Sequence, residues 1–288
     1  MQEIESGIYF ESNFPGVTLG ALTLSRGTIL IDAPLRAEDA RSWRAALLNR
    51  GSGIDRILIN LDSHPDRTIG SRALECPVVA HERSAQVSRN RPPTFKGQNS
   101  EVGAEWETCT DLGSSRWANP DITFTEQMDF HWGSPIVQLE YHPGPAPGAS
   151  WVVIPEKKIA FIGDAVVIGQ PPFLADADIP AWAETLDLLL SAKYRNFILI
   201  SGRGGEVTVE EIRNLRNVLK KLDKKLTALW NSNAPLEEVY KLLPSLIADF
   251  DMPKTRAVLY EQRLRHGLQR YYNRHLQPVE EVEILEEE

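Results

Sequence analysis

Cysteine is scarce: Cys76 and Cys109 are the only two in 288 residues, and neither belongs to a CxxC pair. That excludes a disulfide framework and a thiolate metal site. Long apolar runs are also missing, since no stretch approaches the roughly 18 residues a membrane-spanning helix requires. The opening MQEIESGIYFESNF has neither the basic n-region nor the apolar h-region of a secretory signal. Basic charge is in deficit, with 31 Lys and Arg against 40 Asp and Glu giving a formal net charge of −9. An acidic surface of that kind argues against a protein that tracks nucleic-acid phosphates. These absences predict a soluble, cytoplasmic protein whose partner is a small-molecule ligand or substrate, not nucleic acid or membrane. The oligomeric state is left open.

What is present is an ordinary globular balance, 42% hydrophobic and 25% charged, in a chain long enough to bury a sizeable core. One domain over residues 1–278 is expected, because no repeat at solenoid periods divides the chain. Val17 to Leu24 reads as a strand, and Gly27 to Asp32 as a β-branched strand closed by Pro34. Ala37 to Leu48 carries apolar residues at helical spacing, with Gly51 and Gly53 as stop signals. Ile57 to Asn60 is the next buried strand.

From Arg89 to Asp121 the chain is polar and turn-rich and reads as a surface excursion. Strands are then expected over Ile136 to Tyr141, Trp151 to Ile154, Lys158 to Ile162 and Phe197 to Ile200, with a helix over Trp182 to Leu190. Each of these strands runs into a polar loop, where chemistry would sit. The last third is helical. Thr208 and Glu211 form a Thr-x-x-Glu capping box ahead of Ile212 to Leu229, and Pro235 begins a second helix. Lys254 to His275 forms a third, with Val258, Leu259, Leu264, Leu268 and Tyr272 on one stripe. Arg263, Arg265, Arg270 and Arg274 of this helix read as a solvated basic face. Residues 279–288 hold six glutamates and read as a disordered acidic tail.

Five blocks recur in a fixed order: GTILIDAP from Gly27, NLDSHPDR from Asn60, HPGPAPGAS from His142, FIGD ending at Asp164, and SGRGG from Ser201. In this order they resemble the metallo-β-lactamase fold superfamily, over Gly20 to about Gly205. The corresponding family elements read Thr-His-x-His-x-Asp-His, Pro-Gly-His-Thr-Pro-Gly-Ser, Gly-Asp and Pro-Gly-His-Gly. The resemblance implies a mixed α/β fold, a four-layer αβ/βα sandwich, here with a helical C-terminal extension.

Carried over residue by residue, the resemblance implies a degenerate dinuclear site. Asp62 stands where the first histidine would be and Arg67 where the last would be, while His64 and Asp66 keep their identities. Pro145 replaces the histidine of the next block, Asp164 keeps the bridging position, and Arg203 replaces the final histidine. One metal would be offered Asp62, His64 and Asp164, which suits zinc or manganese. The other would be offered Asp66 and Asp164 beside Arg67 and Arg203, and arginine cannot ligate. The cofactor expectation is therefore one zinc or manganese ion, or none. Asp66 and Asp164 are the candidate catalytic residues, and Asp32 would brace the histidine loop from behind.

Two readings of function follow. In the first, Arg67 and Arg203 replace a metal's charge by pairing with Asp66 and Asp164, or bind an anionic small molecule with their forked donors. In the second, Asp62, His64 and Asp164 hold one metal that acidifies a bound water, giving a mononuclear hydrolase of an ester, thioester or related bond with Asp66 as base. A purely structural or assembly role is a third possibility without direct support in the sequence.

Overall fold

The structure is a computed structural model, and it describes residues 1–48, 50, 55–95 and 102–276. The acidic tail and the stop signals at Gly51 and Gly53 lie outside the described residues. Two sheets form the centre. Strands β1 (Gln2–Glu5), β2 (Ile8–Glu11), β3 (Leu19–Thr23), β4 (Gly27–Ile31), β5 (Asp55–Asn60), β6 (Val78–His81) and β7 (Ile122–Phe124) make a seven-stranded sheet in chain order. It is antiparallel from β1 to β4 and parallel from β4 to β7. The six-stranded second sheet contains β8 (Gln127–Phe130), β9 (Val137–Tyr141), β10 (Ser150–Ile154), β11 (Ile159–Phe161), β12 (Ile198–Ser201) and β13 (Gly205–Glu206). Within it only β11 and β12 run parallel.

Alternation along each strand decides which layer it faces. Ile29 and Ile31 of β4 point into the core between the sheets, together with Val152 and Ile154 of β10. Leu30 points the other way and packs with Ala40, Trp43 and Leu47 of α1 (Ala37–Leu48). Trp151 and Val153 likewise leave the central core for the outer helices. Gly20 is needed where the sheets approach, because a Cβ there would lie 2.6 Å from the Phe161 ring.

Two short helices follow in the first half, α2 (Pro65–Thr68) and α3 (Glu82–Arg89). The outer layer of the second sheet is built from α4 (Ile179–Leu189), α5 (Val209–Asn231), α6 (Leu236–Tyr240), α7 (Leu243–Ala248) and α8 (Ala257–Leu276). The helix–sheet–sheet–helix order is the four-layer arrangement expected, with the helical C-terminal region added to it. At the start of α5 the Thr208 N–H donates to Glu211 Oε2 at 2.7 Å, and the Glu211 N–H donates back to Thr208 Oγ1 at 3.3 Å. This closes the box read from the sequence and satisfies two N-terminal donors. Among the described residues no helix is long and apolar enough to cross a membrane.

Several expectations are corrected. The strands of residues 2–11, 78–81 and 122–130 carry no clear signal in the sequence, being short or part of polar stretches. The excursion after Arg89 is not merely superficial: Phe95, Leu112 and Trp117 pack with Leu35 and Ile69 into a separate small core. Val258 is 73% exposed while Leu264, Leu268 and Tyr272 are fully buried. The buried stripe of α8 runs through Tyr260, Arg263, Leu264, Leu268, Tyr271 and Tyr272, the proper three- and four-residue spacing, from which Val258 is rotated away. Arg263 is consequently buried and not part of a solvated basic face.

Candidate functional site

The C-terminal ends of β5, β11 and β12 converge, which is where strand ends of α/β sheets present ligand-binding loops. After β5 the chain turns through Asp62 and Ser63 into α2, whose N-cap is His64 with Pro65 at the first helical position. The His64 imidazole accepts from the Asp66 N–H at 3.2 Å, taking the role a serine or aspartate usually has at that position. Asp32 follows β4, the parallel neighbour of β5, in the left-handed region at φ 58. Its Oδ1 accepts the Leu61 N–H at 2.9 Å and so fixes the start of the loop. After β11 a 3-10 turn carries Asp164, and after β12 Gly202 leads into Arg203. A Cβ on Gly202 would lie 2.8 Å from Arg67 Nη1 and 2.9 Å from the Gly163 carbonyl carbon, so only glycine leaves room for the guanidinium.

Into this convergence the chain projects two buried arginines. Arg67 is 0% and Arg203 1% exposed. Arg67 lies against Asp32 Oδ2 at 3.2 Å and Asp62 Oδ1 at 3.1 Å, and its Nη2 donates to Asp164 Oδ1. Arg203 donates from Nε to Asp164 Oδ2 at 2.9 Å, from Nη1 to Asp66 Oδ2 at 2.8 Å, and from Nη2 to His64 Nδ1 at 3.0 Å. Asp66 also accepts the backbone N–H groups of Glu105 and Trp106, at 3.2 and 2.9 Å. The backbone of Glu105 and Trp106 thus closes over the site. Asp62 Oδ1 accepts the His64 N–H at 2.8 Å.

Electrostatics follow from this packing. Burial alone would push the Asp164 carboxyl up, but the guanidiniums of Arg203 and Arg67 outweigh it and pull the pKa down to about 2. Asp32 is pushed up to about 7 by burial, since it shares Arg67 with Asp62 and Asp164. Burial likewise raises Asp62. His64 is held well below the usual imidazole value, first by burial and then by the positive charge of Arg203 and Arg67. It is therefore neutral near pH 7. With Nδ1 occupied as an acceptor, its proton sits on Nε2, which is buried without a hydrogen-bond partner.

The residues that the resemblance offers to a metal do not fit one. Asp62, His64 and Asp164 each face a guanidinium or a backbone N–H with the atoms a cation would need, and a permanently charged arginine would repel it. Among the described residues no group of three or more His, Cys, Asp or Glu side chains is arranged to hold a metal ion.

Sequence reading missed three participants. Arg263 of α8 donates to the Gly103 carbonyl at 2.9 Å and to the Pro171 carbonyl at 2.8 Å. Phe173 lies 4.3 Å from the His64 ring, centroid to centroid, with the Arg203 and Arg263 guanidinium carbons 4.9 and 3.9 Å from its own centroid. The Glu105–Trp106 backbone is the third. Two left a trace: Arg263 as an arginine on the apolar stripe of an amphipathic helix, and Phe173 within Pro171 to Asp178, a stretch that resembles the one after Gly-Asp in hydrolytic members of the superfamily. Burial and the neighbouring Arg203 push the Arg263 pKa down to about 10. His64 and Phe173 line a cavity of about 280 Å3, whose polar lining includes Ser63, Asn90, Arg91 and Asp176. Pro145, the position of the absent histidine, also lines it, together with Ala146 and Pro147. His142 takes no part in the cavity: its ring stacks on Trp151 at 3.6 Å, and its Nε2 bonds Glu140 at 2.9 Å.

Solved structures share this architecture. The sec-alkylsulfatase Pisa1 from Pseudomonas sp. aligns with a TM-score of 0.63 at 17% identity, covering 95% of this chain and 50% of the sulfatase. This chain therefore spans about half the length of that enzyme. A metallo-beta-lactamase family protein from Thermus thermophilus aligns with a TM-score of 0.63 at 17% identity, covering 95% of both chains. A metallo-beta-lactamase from Pontibacter korlensis gives 0.57 at 18% identity over 76% of this chain and 97% of its own. At such identities these likenesses show the fold alone. No curated protein sequence matches significantly. The profile of the metallo-beta-lactamase superfamily matches residues 22–202, more than half of the sequence. The chain belongs to the metallo-beta-lactamase superfamily.

Proposed function

We propose that this chain is a metal-independent member of its superfamily that binds a small molecule in the cavity beside His64 and does not hydrolyse through a dinuclear centre. The observation that carries this reading is the pairing of Asp62, Asp66 and Asp164 with Arg67 and Arg203. Two guanidiniums supply the positive charge that would stabilise the clustered carboxylates. Asp66, whose oxygens accept three N–H groups, is poorly placed to take a proton from water. Arg67 and Arg203 serve structure here and are too enclosed to meet a ligand directly.

The neutral His64 lines the cavity together with the polar Ser63, Asn90 and Arg91. Around it Phe173, Pro145, Ala146 and Pro147 are apolar. A volume of about 280 Å3 is at the small end of ligand sites. A compact molecule with an apolar body and one oxygen acceptor fits, and a carboxylate such as benzoate is a suitable probe.

The test is elemental analysis of the dialysed protein, with melting followed in chelator and in added zinc or manganese. This reading expects no stoichiometric metal and no shift. About one equivalent of metal, lost in His64→Ala and in Asp164→Ala, would instead support a mononuclear hydrolase and reject the arginine-paired reading. A benzoate titration, wild type against His64→Ala, tests the cavity separately.

A further inference from the structure

Away from the buried network, three chain segments meet beside α3. Arg72 comes from the 3-10 turn Ser71–Leu74, Arg89 from the last turn of α3, and Arg116 from a stretch joined to Thr94 by an isolated β-bridge. Pro92 and Pro93 cannot continue α3, so the chain leaves the helix and crosses toward Trp117. Between these segments lies a groove of about 470 Å3, lined by Arg72, Arg89, Arg91, Arg116, Trp117 and Asn119 among others. None of its described lining residues is acidic.

Two independent features make it more than a solvated basic patch. Arg72, Arg89 and Arg116 are exposed and make no ion pair with a described carboxylate, although the chain as a whole carries an excess of nine negative charges. Like charges gathered in one concavity raise one another's energy and concentrate anions there. Trp117, 9% exposed, lends the groove an aromatic wall. Its ring carries the Arg91 guanidinium 4.4 Å from the centroid, which holds both groups at the groove wall.

We propose that this groove binds the phosphate ester or diphosphate group of a small molecule. Forked guanidiniums match the oxygens of such a group. The site does not rest on the reading of the His64 cavity, with which it shares only Arg91.

Calorimetric titration of the full chain with inorganic pyrophosphate at low salt tests it. Binding of about one pyrophosphate is expected, weakening as ionic strength rises. The Arg72→Ala/Arg116→Ala double variant should weaken it about ten-fold or more. Both side chains are exposed, so the melting temperature should stay unchanged and confirm folding. Arg41→Ala, an exposed arginine on α1, should bind as the wild type does. No pyrophosphate heat at millimolar concentrations would overturn the proposal, as would equal affinity in the double variant. A single-stranded oligonucleotide binding more tightly than pyrophosphate would replace the small molecule with a polymer and equally overturn it.

Discussion

Replacing Arg203 with alanine removes three donors at once, to Asp164 at 2.9 Å, Asp66 at 2.8 Å and His64 at 3.0 Å. Neither carboxylate is stripped, since Asp66 keeps the Glu105 and Trp106 N–H groups and Asp164 keeps Arg67. Both nevertheless stay buried, Asp66 fully and Asp164 at 8% exposure. Breaking one partner of a buried ion pair costs about 3–5 kcal/mol. The surviving donors argue for the lower end, about 3 kcal/mol. In a chain of this size each kcal/mol moves the melting temperature by about 2–4 °C, so a fall of roughly 6–12 °C is expected. Arg203→Lys keeps the charge but replaces a rigid fork by one ammonium, and should lose about half as much. Thermal unfolding followed by circular dichroism near neutral pH, in low and high salt, gives the shift. High salt should hardly change it, because buried pairs are little screened. A double-mutant cycle with Asp66→Asn should return a coupling of about 0.5–3 kcal/mol. A melting temperature within about 2 °C of wild type would refute the claim that this network holds the two halves of the site together.

Acid dependence offers a second check. His64 titrates below its ordinary value in the fold, so its contribution to stability is present above about pH 6.5 and is lost as pH falls, at about 1.4 kcal/mol per unit. Asp32, raised to about 7, contributes in the opposite sense, with stability present at low pH and lost as pH rises through 7. Asp62 shifts in the same direction as Asp32. The opposing slopes offset each other in the wild type. His64→Gln should uncover the carboxyl slope, so that urea midpoints between about pH 5 and 6.5 fall with rising pH relative to wild type; parallel profiles would reject the His64 assignment. Restoring histidine at Asp62, Arg67, Pro145 and Arg203 together should confer zinc uptake measurable by elemental analysis, and a metal-free quadruple variant that still folds would count against the arginine-replacement account. Gly202→Ala should cost more than about 1 kcal/mol, because its Cβ meets the Arg67 guanidinium and the Gly163 backbone; an unchanged denaturation midpoint would show that the guanidinium can move aside.

Alternation and β-branched runs made the central strands β4, β5, β10 and β12 legible in the sequence, because a strand buried on both faces is apolar throughout. The edge strands were not, since residues such as Gln2, Glu3 and Asp129 face solvent and break the pattern. In the site, the five blocks identified Asp62, His64, Asp66, Arg67, Asp164 and Arg203, and the structure brings all six together with Asp32. Their saturation was not legible: that both guanidiniums are buried and shared among four carboxyls depends on how the two sheets dock. Arg263 comes from a helix some two hundred residues beyond His64 in chain order and falls outside the blocks. The groove arginines are spread from Arg72 to Arg116, with no local spacing to connect them.

The ion pairs have a kinetic consequence that follows from their span. Arg203 bonds Asp66 across 137 residues of chain, and Arg67 bonds Asp164 across 97. Each therefore links the end of a strand in the first sheet to the end of one in the second. Such contacts can form only after both sheets have assembled and met, when most apolar surface is already buried. Interactions made that late act on the barrier to opening and hardly on the rate of closing. The arginine pair is then a latch: cutting it should speed unfolding by nearly the full loss in stability and leave the folding limb of the chevron almost where it was.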